Sequence, residues 1–324
     1  MDANCRLQGG TAGRVRRRRC EARRFRAGLA DQRRAGFGHP AAARPRLVSS
    51  GMAAMSATVT VIVKAAPVLT ASLDETMCVA GARLTDDGVE WIRLHPVPFR
   101  DLATDARFAK YQEMEAELIR PRTDRRPESW RPLPGSIRLG RRLGTERAWA
   151  DRRDLVSRLY QADMCDLVDA NRTGSGPGTR SLAVVRPADP PELVITERGA
   201  DQLAEWRRRA EGAKNRMSLF DDPDTSKPDF EVVPWRFSYR YRCGREDCNS
   251  HTQTIVDWEV VALWRRVRSR PDWQELMRAK FEQQMWHDRD AALFVGNQEQ
   301  HPSSFLVLGV FWPPLAGYQP RLEL

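Results

Sequence analysis

The pattern of apolar and polar positions predicts a chain built mainly of short β-strands from residue 58 onward. Residues 58–66 are rich in β-branched side chains and predict a strand, residues 77–84 are predicted to form a second strand, and an Asp-Asp-Gly turn leads into a third strand at 89–95. Residues 99–108 fit a short helix, whereas residues 110–120 fit a strand by alternation and a helix by their glutamate content. This part of the chain is therefore expected to begin as a three-stranded meander.

The next stretch carries the elements expected to complete this first half. Residues 123–134 contain three prolines and are predicted to be a loop, with a closing strand at 137–139. An apolar stripe at helical spacing predicts one helix over residues 146–171, and the glycine-rich stretch 173–178 ends that helix. The same glycine-rich stretch marks a boundary between two domains, which we place at residues 52–172 and 173–324.

The second half repeats the alternation of strands and helices. The pattern predicts strands at 181–185, 192–196, 230–243, 291–295 and 305–312, and helices at 200–213 and through most of 255–287. Both halves can then be ordered as three strands, a helix and two strands, which is the order of an oligonucleotide/oligosaccharide-binding (OB) barrel. The predicted fold class is therefore mixed β/α, with two small OB-like barrels and helical insertions.

Charge separates the first fifty residues from the rest of the chain. The formal net charge of the whole chain is +10, and residues 1–51 contain thirteen arginines against three acidic residues. The remainder has 40 basic and 40 acidic residues, so its net charge is zero. We expect residues 1–51 to form a disordered extension, because they bury too little apolar surface to fold. This extension is either a phosphate-binding arm or sequence upstream of a start at Met52 or Met55.

The strongest chemical signal is a short cluster of metal-ligating residue types. Cys243, Cys248 and His251 fall within nine residues of a turn, and thiolate with imidazole suits zinc. A structural zinc site has four ligands, and the sequence offers His287, His301 and Asp257 as candidates for the fourth. Two free cysteines beside an exposed histidine is the alternative interpretation. Six scattered cysteines also indicate reduced thiols in a cytoplasmic protein, and no apolar run is long enough to cross a membrane.

An aromatic strand with an arginine face is the most suggestive surface. On a pleated strand, alternate residues share one face, which places the aromatic side chains on one side and the arginines on the other: Trp235, Phe237, Tyr239 and Tyr241 against Arg236, Arg240 and Arg242. Arginines on such a face can hold the phosphates of single-stranded DNA or RNA. The aromatic face is alternatively core, in which case the stacking group comes from elsewhere. Trp91, which shares a face with Arg93, is the candidate.

Some segments resemble a known family. Three sets carry the likeness: Cys78-Val79-Ala80-Gly81 with 90–100 and Arg126-Pro127-Glu128-Ser129; 241–251 with Asp257-Trp258-Glu259; and Phe294-Val295-Gly296-Asn297 with 306–314. Over residues 57–314 the chain resembles bacterial proteins with a dual OB-barrel domain, some of them linked to phage defence. The resemblance implies the fold and a nucleic-acid ligand, and it implies no catalytic residue.

The predicted function is therefore a non-catalytic nucleic-acid-binding or sensor protein. Asp257 and Glu259 point about 200° apart on a helix, so they are poor joint ligands, and no phosphate-binding loop or nucleophile motif is present. Two alternatives remain. One is a metal-dependent enzyme acting on nucleic acid through Cys243, Cys248 and His251, and the other is a scaffold that binds a protein partner.

Overall fold

The computed structural model describes residues 54–69, 75–122, 124–133, 135–172, 179–214 and 230–317. All of them belong to one compact unit, Ser50–Leu324. The prediction for residues 1–51 lies outside the described residues.

A closed β-barrel forms the first half of this unit. Its seven strands are β1 (Met55–Lys64), β2 (Val68–Leu69), β3 (Glu75–Thr85), β4 (Gly88–Val97), β5 (Gln112–Ile119), β6 (Ser129–Pro132) and β7 (Arg138–Arg142). Five of them form the ring in the order β1-β3-β4-β6-β5, and pairing of β5 with β1 closes it. Strands β4 and β6 run parallel, and the other ring neighbours are antiparallel.

Alternate side chains of the ring strands point into the barrel and form its core. Val59 on β1 lies opposite Met114 on β5, and both are fully buried in a core of aliphatic side chains. Strands β1 and β3 approach so closely that a Cβ atom at Gly81 would lie 2.5 Å from the carbonyl oxygen of Thr60. Glycine is therefore required at position 81 for this strand pair.

The closing elements differ from the sequence prediction. Strand β6 lies inside the proline-containing stretch 123–134 that was predicted to be a loop, and it closes the barrel by pairing with both β4 and β5. The strand predicted at 137–139 corresponds to β7, which pairs only with β5 outside the ring. Residues 99–108 form two short 3-10 turns instead of a helix, and the ambiguous stretch 110–120 is strand β5.

Five α-helices accompany the strands in the described residues. They are α1 (Glu146–Ser157), α2 (Met164–Arg172), α3 (Ala200–Lys214), α4 (Trp258–Val267) and α5 (Trp273–Arg278), and the π-helical turn Ala279–Gln284 follows α5. The single helix predicted over 146–171 is divided into α1 and α2. The backbone between them bonds to Val184 instead: Val184 N–H donates to Tyr160 O at 2.9 Å, and Ala162 N–H donates to Val184 O at 3.1 Å.

The second half contains two small sheets. The strands are β8 (Leu182–Val185), β9 (Glu192–Glu197), β10 (Trp235–Tyr241), β11 (His251–Thr254), β12 (Ala292–Gln298) and β13 (His301–Phe311). They pair as β11-β10-β9 and β13-β12-β8. Only the bridge between Ile255 and Val307 links the two sheets by strand pairing within the part of the chain that the structure describes, so the predicted second barrel is not seen there. A large apolar core packs between these sheets and helices α2, α4 and α5.

Buried polar contacts join the two halves. Lys110 of the first half donates to both carboxylate oxygens of Asp257 at 2.9 and 2.8 Å, and Asp257 is 2% exposed. Arg126 donates to the backbone and side-chain oxygens of Asn297 at 2.9 and 3.0 Å. Arg153 pairs with Asp290. Because these contacts satisfy buried or half-buried polar groups across the junction, they hold the two halves in a fixed relative position.

Candidate metal centre

Four metal-ligating side chains converge at one end of the second half. The sulfur atoms of Cys165, Cys243 and Cys248 and a ring nitrogen of His251 all lie within 4.8 Å of one another. His251 Nε2 is 3.3 Å from the sulfur of Cys165 and 3.3 Å from that of Cys248. This spacing is what four ligands around one tetrahedral ion require, so the cluster can hold a metal ion such as zinc.

Three elements bring these four donors together. Cys165 is the second residue of α2, while Cys243 and His251 flank the turn that joins β10 to β11, and Cys248 lies within that turn. The turn is shaped by its own backbone, since Cys248 N–H donates to Arg245 O at 3.1 Å and Cys243 N–H points at the Cys248 sulfur at 3.4 Å. The helix and the hairpin turn therefore meet at the cluster.

The Cys165 thiol and the His251 imidazole have shifted pKa values for identifiable reasons. Burial, together with the Cys243 and Cys248 thiols, raises the pKa of Cys165 to about 12. Burial lowers the pKa of His251, which keeps its ring neutral and able to bind a metal. Three thiols this close cannot all ionise unless a cation lies between them. The donor set therefore fits a divalent ion that binds thiolates.

Charged groups around the cluster hold the turn against α2. Arg245 lies 2.7 Å from Asp169 and 3.1 Å from Asp166 on α2, and hydrogen bonds with Asp247, Asp169 and Asp166 raise its pKa. Gly244 N–H donates to Asp163 at 2.8 Å, just before the helix begins. The turn is thus fastened to the start of α2 on both sides of Cys165.

The fourth donor is none of the three candidates proposed from the sequence. His287 is almost fully exposed beside Asp288, and His301 is exposed at the start of β13. Asp257 is committed to Lys110 and caps α4 by accepting the Glu259 N–H at 3.0 Å. Cys165 supplies the donor instead. A single cysteine about eighty residues upstream of the turn gave no spacing signal, so only the fold reveals it.

The three arginines of the β10 face lie at the surface. Arg236, Arg240 and Arg242 are all exposed. Arg240 donates its Nε–H to Glu192 on the neighbouring strand β9 at 3.0 Å, and Arg242 donates its Nε–H to Cys248 O at 3.0 Å. The arginine face therefore adjoins the candidate metal centre through Arg242. No acidic residue lies within β10 itself, but Glu192 faces Arg240 across the pair of strands.

The opposite face of β10 is core. Phe237, Tyr239 and Tyr241 are buried, and the Tyr239 hydroxyl donates to Phe281 O at 2.7 Å. Trp235 is half-buried and lies with its ring centre 5.0 Å from that of Trp273. Three of the four aromatic side chains are thus enclosed, as the alternative interpretation of this strand expected.

Trp91 and Arg93 are placed differently from the arginines of β10. Arg93 is 4% exposed and donates to both the backbone and the hydroxyl oxygen of Ser181 at 3.0 Å, so it links the two halves. The Trp91 ring packs edge-on against Phe294 at 5.8 Å between ring centres. Arg93 is therefore buried in the junction between the halves, whereas Trp91 is half-buried.

Among the helices of the described residues, none has both the length and the apolar character needed to cross a membrane.

Two family matches divide the chain at the start of the second half. A family described as Domain of unknown function (DUF8758) matches residues 55–158, which include the closed barrel and α1. A second, described as Domain of unknown function (DUF8757), matches residues 160–323, which include all four donors of the candidate metal centre. No curated protein matches the chain. Because the second match spans just over half of the 324 residues, the chain belongs to the family described as Domain of unknown function (DUF8757).

Proposed function

We propose that this protein binds single-stranded nucleic acid through the arginine face of β10, and that a structural zinc ion holds that strand in place. The observation that carries the proposal is the position of Arg236 and Arg240, which are exposed on a strand that runs directly into Cys243. Arginine binds phosphate through two parallel hydrogen bonds, and rows of such residues track the backbone of a single strand.

Zinc is the ion we assign to the four donors. Three thiolates and one imidazole make a closed tetrahedral shell, which leaves no position for a substrate. A closed shell supports a structural role and disfavours the metal-dependent enzyme considered from the sequence. The ion would tie α2 to the β10–β11 turn, and Arg242 is attached to the same turn through Cys248 O.

The closed barrel supports the nucleic-acid assignment through its topology. Three strands follow one another as a meander, and the fifth ring strand, β6, returns parallel to the third, β4. We propose that this is an OB-like barrel, a fold that commonly binds oligonucleotides. The resemblance to dual OB-barrel proteins is consistent with this, and would place the activity in a prokaryotic defence system in the cytoplasm.

Binding to short single strands of DNA and RNA tests the function directly. The full chain is titrated with each at two or more salt concentrations, because every phosphate contact adds about one to the salt slope. The Arg236→Ala, Arg240→Ala double variant should lower the slope by about two. Arg158→Ala, at the exposed arginine that caps the C-terminal end of α1, is the control, and it leaves the contribution of residues 1–51 unchanged.

Equal slopes for the double variant and the parent chain would overturn the proposal, whatever the affinity. If the Arg158→Ala control loses as much binding as the double variant, the interaction depends on the overall positive charge and not on the arginine face of β10. A chain that binds no strand at low salt would favour the protein-interaction scaffold.

A further inference from the structure

A cavity of about 280 Å³ lies between the two halves, away from the candidate metal centre. Three tryptophan rings line it: Trp206 from α3, Trp235 from β10 and Trp258 from α4. Aliphatic side chains of the loop after β1 and of α4 complete the apolar wall. A cavity with several indole walls offers flat faces on which a planar ring can stack.

The same cavity is lined by more positive than negative charge. Arg100, Arg198, Arg209 and Arg265 face it, together with Glu75 and Glu231. Arg100 pairs with Glu75 at 2.8 Å, Arg265 pairs with Glu231 at 2.9 Å, and Arg209 pairs with Glu205 at 2.7 Å.

Arg198 remains after these three pairs are formed. Its Nε–H donates to Val233 O at 3.2 Å, and its guanidinium lies 4.5 Å from the centre of the Trp206 ring. No carboxylate contacts it among the side chains that the structure describes. Burial and the nearby Arg236 both lower the pKa of Arg198. An anion arriving at Arg198 would therefore relieve a half-buried positive charge.

We propose that this cavity binds a nucleotide, with its base among the tryptophan rings and its phosphate at Arg198. The volume is near the lower limit of the roughly 300–1,000 Å³ typical of ligand sites, so it suits one nucleotide and excludes a longer segment. A neutral aromatic ligand would leave Arg198 without a partner, and inorganic phosphate would leave the indole faces empty. A nucleotide satisfies both.

The nucleotide could be free in solution or the terminal residue of a strand. Binding of a free nucleotide does not require the arginine face of β10, so this inference stands apart from the proposed function. If the nucleotide is the end of a strand, the cavity would supply the stacking group for which Trp91 was the candidate from the sequence.

Calorimetric titration of the full chain with the four ribonucleoside 5′-monophosphates tests the cavity. At least one should bind, with its nucleoside at least tenfold weaker and inorganic phosphate weaker still. Arg198→Ala should weaken the monophosphate at least tenfold and leave the nucleoside within twofold. Trp206→Leu should weaken both. Arg207→Ala, an exposed neighbour on α3, should change nothing. Arg198→Gln repeats the test if the alanine variant melts at a lower temperature.

A 5′-phosphorylated single strand and the same strand without its phosphate separate the two sources of ligand. Tighter binding of the phosphorylated strand, competed by the monophosphate, assigns the cavity to a strand end. If the monophosphate binds and neither strand displaces it, the cavity is assigned to a free nucleotide. No binding of any monophosphate at 5 mM, or an unchanged affinity in Arg198→Ala, overturns the inference. If the chain binds a monophosphate but no single strand, the inference about the cavity stands and the proposed function is wrong.

Discussion

The sulfur of Cys165 lies 3.3 Å from Nε2 of His251, although 86 positions separate the two residues in the chain. This contact joins the first turn of α2 to the start of β11. Because burial and the other two thiols raise the pKa of Cys165, this sulfur is expected to ionise only when a cation lies among the thiols. The candidate metal centre therefore joins helix α2 to the β10–β11 hairpin and is not confined to the turn of that hairpin.

Cys165→Ser should therefore remove zinc as completely as Cys243→Ser. Elemental analysis of the purified chain should find about one zinc per chain, and both variants should fall to near zero, because a structural site needs all four ligands. Melting temperature should drop by more than about 5 °C, since each kcal/mol lost shifts it by roughly 2–4 °C in a chain of this size.

Cys78→Ser is the matched control. Cys78 is also a free, half-buried cysteine, but it lies on β3 outside the cluster and accepts only a long contact from Arg93 at 3.6 Å. It should keep its zinc. Zinc retained in Cys165→Ser would show that the fourth ligand is another residue.

The limits of prediction at this site follow from chain distance. Cys243, Cys248 and His251 were identified because a nine-residue turn keeps them close in any fold. Cys165 is brought to them by the packing of α2 on the second sheet, which no local pattern encodes. The same applies to Lys110, whose partner Asp257 lies 147 positions away.

Lys110→Met should destabilise the chain strongly. The Lys110 ammonium lies between Asp257 and Glu259; burial alone would lower its pKa, but these two carboxylates raise it. Removing the lysine leaves the Asp257 carboxylate buried and unpaired, which costs about 3–5 kcal/mol. Chemical denaturation at pH 7 measures the loss.

The double variant Lys110→Met, Asp257→Asn tests the cause. Asparagine still caps α4 and carries no charge, so most of the lost stability should return. Arg147→Ala breaks an exposed pair with Asp151 and should cost no more than about 1 kcal/mol. No recovery in the double variant would mean that Lys110 acts through packing.

Asp124→Asn should reduce stability in a pH-dependent way. Burial would raise the pKa of Asp124, but hydrogen bonds from Arg126 and Ser129 outweigh it and lower the pKa to about 2. A carboxylate with a lowered pKa stabilises the fold fully above its unfolded pKa, and that contribution is lost as the pH falls from about 4 through 2. The variant should lose about 1 kcal/mol at pH 7, after allowance for solvent screening, and its difference from the parent should shrink steadily as the pH falls from about 4 toward 2. A loss independent of pH would contradict this origin.

The individual strands were easier to predict than the strand pairing that closes the barrel. Strand β3 was predicted because the run of apolar residues that it buries is visible in the local sequence. Strand β6 was missed because Pro127 and Pro132 indicated a loop, whereas its short parallel pairing with β4 depends on residues more than thirty positions away. The second barrel was expected from element order and from the resemblance to dual OB-barrel proteins, and element order does not decide which strands pair.

Glu192→Gln should strengthen binding of single strands, opposite in sign to the arginine variants. Glu192 pairs with Arg240 across strands β9 and β10, and both side chains are about half exposed, so the pair itself stabilises the fold by at most about 1 kcal/mol. A phosphate must compete with this carboxylate for the guanidinium. Neutral glutamine removes both the competition and the local repulsion, and affinity should rise about two- to fivefold at low salt. The gain should vanish at high salt, where surface charges are screened.

Glu197→Gln is the control for this prediction. It makes the same charge change at the other end of β9, where Glu197 lies opposite Trp235, and it should have a smaller effect. If Glu192→Gln and Glu197→Gln change affinity equally, the effect is general charge, and Arg240 does not contact phosphate.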